Sequence, residues 1–159
     1  MKKLIFVYGF IAGLVIILTS TLSIHMDVAS AWLGFLVMFI AFGSIFVAVK
    51  QYRDDTLGGV IRFGTGFLVG LGITLVASVV YVLVWELYLA MTNYAYIDSF
   101  VESMREGGYS NADAVAMAQQ YSNMIFRLPM TFVEIFPVGL LVSLVAAFVL
   151  KNSKHLPAE

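Results

Sequence analysis

Four long apolar runs divide this chain, at residues 4–24, 31–49, 63–85 and 128–150, and none contains a lysine or arginine. A bilayer core about 30 Å thick needs roughly 20 residues of helix at 1.5 Å each, so each run is long enough to cross one. Valine and isoleucine are dense enough here to suggest strands in water. In lipid, however, every backbone amide has to be bonded within its own segment, and the runs read as helices. Between the third and fourth runs, residues 91–127 are far more polar. There Tyr96, Phe100 and Met104 recur every four residues with Asp98, Glu102 and Glu106 among them, an amphipathic helical pattern that Gly107 and Gly108 end. Ser110 or Asn111 is placed to cap a second helix, with Asp113 in its first turn and Ala114, Ala118, Tyr121 and Ile125 as its apolar face. The pattern predicts an all-α integral membrane four-helix bundle, one domain over residues 1–159. A short amphipathic helical hairpin lies between spans 3 and 4, either folded over the outer mouth of the bundle or formed as an extension of span 3 with a returning helix.

Composition supports lipid as the solvent. The chain is 61% hydrophobic and 12% charged, whereas a soluble domain of this size is about a quarter charged and leaves much of its surface in water. A net charge of -1 offers no basic face for nucleic acid. The lack of cysteine removes disulfides and thiolate chemistry. Seven of the nine Lys and Arg residues (Lys2, Lys3, Lys50, Arg53, Arg62, Lys151 and Lys154) fall at the two ends and in the loop between spans 2 and 3, against Arg105 and Arg127 on the other side. By the positive-inside rule both termini are cytoplasmic and residues 91–127 are outside. Acids lean the other way, with Asp27, Glu86, Asp98, Glu102, Glu106, Asp113 and Glu134 on or near the outer side, and Trp32 and Trp85 fall near outer span ends. The start imitates a secretory signal, with Lys2, Lys3, an apolar run and Ala29-Ser30-Ala31. That run is longer than the 7–15 residues usual for a signal, so it is read as a retained span.

The segment YRDDTLGGVIRFGTGFLVG holds five glycines but neither a Walker lysine nor a strand before GxGxxxG, so it is not a nucleotide loop. Its small residues instead continue as a stripe: Gly66, Gly70, Thr74 and Ser78 share one helix face. Gly139, Ser143 and Ala147 form a second stripe, and Gly9 with Gly13 begins a third. Helices in lipid associate where small side chains let backbones approach, so these stripes are expected to be bundle seams, or else a homodimer face. Gly58 and Gly59 suit a tight turn. Lys50, Arg53 and Arg62 are candidate contacts for anionic lipid headgroups; the simpler reading pairs Arg53 with the neighbouring Asp54 and Asp55 in a solvated loop.

Acids inside spans are the main anomaly. Pro129 suits the first turn of span 4, and Glu134 follows five residues deeper, with Pro137 expected to kink the helix beside it. Glu86 closes span 3 after Trp85, and Arg127 opens span 4. A charge in hydrocarbon costs roughly 3 kcal/mol, so Glu86, Arg127 and Glu134 are expected to form one buried polar cluster, part of a proton or cation path, unless the glutamate is interfacial and reaches water or pairs with Arg127 to fix helix register. His25, Asp27 and the glutamates show no metal-ligand spacing, and His25 and His155 lie on opposite sides of the membrane, so neither a metal site nor a catalytic triad is read and no cofactor is expected.

The stretches KKLIFVYGFIAGL, YRDDTLGGVIRFGTGFLVGLGITLVASVVYVLVWE and MTFVEIFPVGLLVSLVAAFVL resemble the bacterial membrane family catalogued as domain of unknown function 4199. YRD, the paired glycines, the WE ending at Glu86 and EIFPVGL around Glu134 carry the likeness. The chain departs from it with Thr65 after Phe63-Gly64, where relatives often have lysine. The resemblance implies a small four-span bacterial inner-membrane protein and supplies no catalytic chemistry. The expected role is therefore a non-enzymatic accessory or scaffolding component, in contact with membrane lipids and with further copies or other membrane proteins. The alternative is a small transporter or proton/cation-conducting protein that uses the intramembrane glutamates.

Overall fold

A computed structural model describes residues 1–26 and 28–152; Asp27, Lys154 and His155 lie outside the described residues. Among those described there are helices and no strands: α1 (Lys2–His25), α2 (Ala31–Gln51), α3 (Phe63–Met91), α4 (Ala95–Glu106), α5 (Asn111–Ser122) and α6 (Met124–Leu150). A π-helical turn, Tyr52–Thr56, continues α2.

Helices α1, α2 with its π-turn, α3 and α6 are each long and apolar enough to cross a membrane. Three of them run well beyond the hydrophobic pattern, α2 with its π-turn reaching Thr56 where the apolar run ends at 49. Helix α3 continues past residue 85 to Met91, and α6 starts at Met124 instead of 128. The early start of α6 follows from Asn123, whose side-chain oxygen accepts the amide of Ile125 at 3.0 Å and turns the chain into helix. Pro129 is consequently the sixth residue of α6 and not in its first turn, which corrects the expectation above. The helix is continuous on both sides of Pro137.

The chain divides into two compact units, one made of Met1–Tyr81 with the stretch from Ile135 onward, the other of Val82–Glu134. In the first unit the small-residue stripes are the seams between helices. A methyl group on Gly9 would stand 2.6 Å from Val76 Cβ, and one on Gly13 would stand 2.7 Å from the Ala77 carbonyl, so α1 meets α3 almost backbone to backbone. Gly72 adds a third close approach, to Ile5. On the other side of α3, Gly70 faces Ser143 and Ile45, and Gly139 faces Thr74 and Phe42. Thr74 Oγ1 and Ser143 Oγ are 3.1 Å apart, and Ser143 donates to the Gly139 carbonyl at 2.7 Å. All nine stripe positions are buried within the chain itself. Gly66 is the loosest, with Val49 and Ala147 at ordinary contact distance.

The outward faces are apolar, with Phe6, Phe10, Leu18, Leu22, Ile40 and Phe148 all more than half exposed. Hydroxyls on Thr19, Thr21, Ser23 and Ser44 bond to carbonyls of their own helices, which satisfies them where water is absent. The turn between α2 and α3 uses left-handed backbone at Gly58 and Gly59, φ 67° and 92°. Asn152, just past α6, clamps that turn: its amide donates to the Gly59 carbonyl at 2.6 Å and its side-chain oxygen accepts the Ile61 amide at 2.8 Å.

Candidate functional site

The second unit contains the densest polar and aromatic chemistry. Its frame is the C-terminal part of α3, the α4–α5 hairpin and the first turns of α6. Gly107 closes α4, and the following Gly108 is left-handed at φ 87°. Ser110 caps α5, accepting the Asp113 amide at 3.1 Å and donating to the Asp113 carboxylate at 2.6 Å. Met104, Ala114 and Ala118 are buried in the hairpin, while Asp98, Glu102, Glu106 and Asp113 are exposed. These are the faces the periodicity predicts, because a helix too short to be stable alone is held by burying its apolar stripe; the exception is Ile125, which belongs to α6 and is 78% exposed.

Arg127 joins three helices. Its Nε and Nη2 donate to the two carboxylate oxygens of Glu86, each at 2.7 Å, a bidentate fork that links α6 to α3. Its Nη1 donates to the carbonyls of Tyr121 and Ser122 at 2.8 and 3.1 Å. Those carbonyls belong to the last turn of α5, where no intrahelical amide remains to satisfy them, so Arg127 also closes that helix. The guanidinium carbon stands 5.5 Å from the Tyr94 ring centroid and 5.9 Å from that of Tyr121, within cation–π range. The Arg127 side chain is 2% exposed and that of Glu86 15%. A charged pair so far from water persists only with this degree of hydrogen bonding.

An aromatic cluster surrounds the pair. Trp85 stacks on Tyr88 at 5.3 Å and meets Tyr96 edge-on at 5.0 Å, while Phe100 and Tyr121 stack at 5.7 Å. Trp85 donates its indole N–H to Tyr121 Oη at 2.8 Å. Burial pushes the Tyr121 hydroxyl up to about 12 despite the opposing effect of that bond, and burial raises Tyr96 as well. Both phenols are neutral near pH 7. Asn93 and Tyr94, joining α3 to α4, are left-handed at φ 51° and 59°, a conformation asparagine tolerates and tyrosine adopts at a cost. It carries the Tyr94 ring to the guanidinium.

The structure therefore brings Glu86 and Arg127 together. Glu134 is exposed and makes no hydrogen bond or ion pair among the described residues. Of the candidate headgroup contacts, Lys50 and Arg62 are exposed, whereas Arg53 is turned onto Asp54 with its Nε 2.6 Å from Oδ1. His25 is exposed at the end of α1, and among the described residues no three His, Asp or Glu side chains converge as a metal site. Sequence reasoning missed Tyr94, the Trp85–Tyr121 bond, the Tyr121 and Ser122 carbonyls and the Asn152 clamp. A run of three tyrosines within residues 88–96 hinted at the cluster, but nothing local pointed to the carbonyls.

Four helices long and apolar enough to cross a bilayer, with polar side chains fastened between them, define an all-helical, multi-pass membrane protein. The chain belongs to the family described as Protein of unknown function (DUF4199), whose match covers residues 7–152. No curated protein and no solved structure matches it.

Proposed function

We propose that this is a non-enzymatic component of the bacterial inner membrane, with both termini in the cytoplasm, where it acts as an accessory or scaffolding protein. The observation that carries this reading is the state of Glu86. Both of its oxygens are occupied by Arg127, which is itself bonded to two backbone carbonyls. A carboxylate tied this way is a fastener; an ion carrier needs an oxygen that is released in each cycle. The orientation rests on the lysine and arginine distribution. The α4–α5 hairpin, with Val115, Met117 and Tyr109 exposed beside its acids, is the surface we assign to a protein partner or a second copy. Lys50 and Arg62 face anionic headgroups in this reading, while Arg53 stays paired with Asp54.

A second reading, proton or cation conduction, is favoured by one observation: Glu134 lies within an apolar helix and makes no ion pair among the described residues. One experiment separates the two. The protein is reconstituted in proteoliposomes and proton flux is compared for wild type and Glu134→Gln. Scaffolding predicts the same leak for both as for empty vesicles. Flux in wild type that Glu134→Gln removes, with folding unchanged, would establish conduction. Reporter tags at the two termini test the orientation.

A further inference from the structure

An apolar groove of about 670 Å³ runs along the first unit between α1 and α3, with Phe6 and Phe10 on one wall and Leu75, Val76 and Val79 on the other. We propose that it seats an acyl chain of a membrane phospholipid with an anionic headgroup, held at the phosphate by Lys2 and Lys3.

Three observations point to that occupant. The first is charge. Lys3, Val7 and Phe10 follow helical spacing along one face, and Lys2 and Phe6 stand one turn apart beside them, so two exposed lysines leave the helix about one turn, roughly 5 Å of rise, from the groove's end. No acid lies in α1 to neutralise them. The second is the nature of the walls. Helices in lipid dock closely where small residues let backbones approach, and beside the groove those of α1, Gly9 and Gly13, are already occupied by α3. The face that remains carries Phe6 and Phe10, 63% and 53% exposed, which suits a flexible chain lying between ridges better than a second helix. The third is shape and lining, since the groove is open along one side and lined entirely by apolar side chains, as a hydrocarbon chain lying in a bilayer requires.

This inference rests on the helices crossing a bilayer and not on the scaffolding role. The test is lipid retention. Protein purified in mild detergent is titrated with phosphatidylglycerol or phosphatidylcholine, and bound lipid is counted by native mass spectrometry. Wild type should hold one phospholipid and prefer phosphatidylglycerol by up to about thirty-fold, the preference two lysines at a membrane surface supply. Val79→Trp, at an exposed wall position away from the Gly9 and Gly13 seams, should lose either lipid roughly ten-fold with an unchanged melting temperature. Lys2→Gln/Lys3→Gln should keep the chain and lose the headgroup preference. If Val79→Trp does not fold, Leu75→Trp takes its place. Equal binding of both lipids to wild type, undiminished binding in the tryptophan variants, or cross-linking of Phe10 to a second copy would overturn the proposal. Terminal tags report separately on orientation, so a failed orientation and an empty groove give different results.

Discussion

Alanine at Gly139 should destabilise the first unit, whereas alanine at Gly66 should not. Both glycines lie on buried helix faces, and the chemical change is the same. At Gly139 the added methyl would overlap Thr74 Cγ2 and would stand 2.7 Å from Thr74 Oγ1 and 2.8 Å from Phe42 Cζ. Thr74 and Phe42 are fully buried, and Thr74 is held by its Ser143 contact at 3.1 Å, so neither gives way freely. Overpacking costs about 1–3 kcal/mol, and disturbing the Thr74–Ser143 bond adds about 1. Against this stands a helix-propensity gain of about 1 kcal/mol for alanine over glycine. The net is a loss of about 2 kcal/mol. At Gly66 the nearest atoms would be Val49 Cγ1 at 3.4 Å and Ala147 at 3.5 Å, ordinary contacts, and the propensity gain of about 0.5–1 kcal/mol survives. The two variants should therefore differ by about 3 kcal/mol, or roughly 6–12 °C in melting temperature for a chain of this size. Thermal unfolding in one detergent, followed by circular dichroism, measures it. Equal melting temperatures, or a more stable Gly139→Ala protein, would refute the packing argument.

The remaining predictions concern the second unit. Arg127→Met should cost about 3–5 kcal/mol by leaving Glu86 charged and unpaired, and the double variant Arg127→Met/Glu86→Met should recover much of that in a double-mutant cycle measured by thermal unfolding. Asn93→Val should lower stability by about 1–3 kcal/mol in the same assay, because a β-branched residue resists the φ of 51° found there. Tyr121, whose pKa is raised by burial to about 12 in the folded protein against 10.0 as its ordinary value, binds its proton more tightly when folded. Its contribution is therefore complete below pH 10 and fades as pH rises through 12. Alkaline melting curves should show this loss in wild type and a smaller one in Tyr121→Phe.

The four spans, the two hairpin helices and the glycine turn at residues 58–59 were legible from the chain alone. Each is a local property: twenty apolar residues against the thickness of a bilayer, a stripe recurring every four residues, or a position that demands positive φ. The seams were legible as faces for the same reason, since helical spacing places Gly66, Gly70, Thr74 and Ser78 in one row. Their partners were not. Whether that row met α1, α6 or a second copy depends on how helices distant in sequence are arranged, and the fold puts Gly70 against Ser143, 73 positions away.

The cluster shows the same division at the level of single side chains. That charges at residues 86, 127 and 134 needed partners followed from the cost of a bare charge in hydrocarbon. That Arg127 takes Glu86 in a fork, closes α5 through the Tyr121 and Ser122 carbonyls and leaves Glu134 out was decided by the tertiary structure. Ion pairs and hydrogen bonds depend on distances of a few ångströms between elements far apart in the chain, while hydropathy, helical period and turn preference are set by neighbouring residues alone.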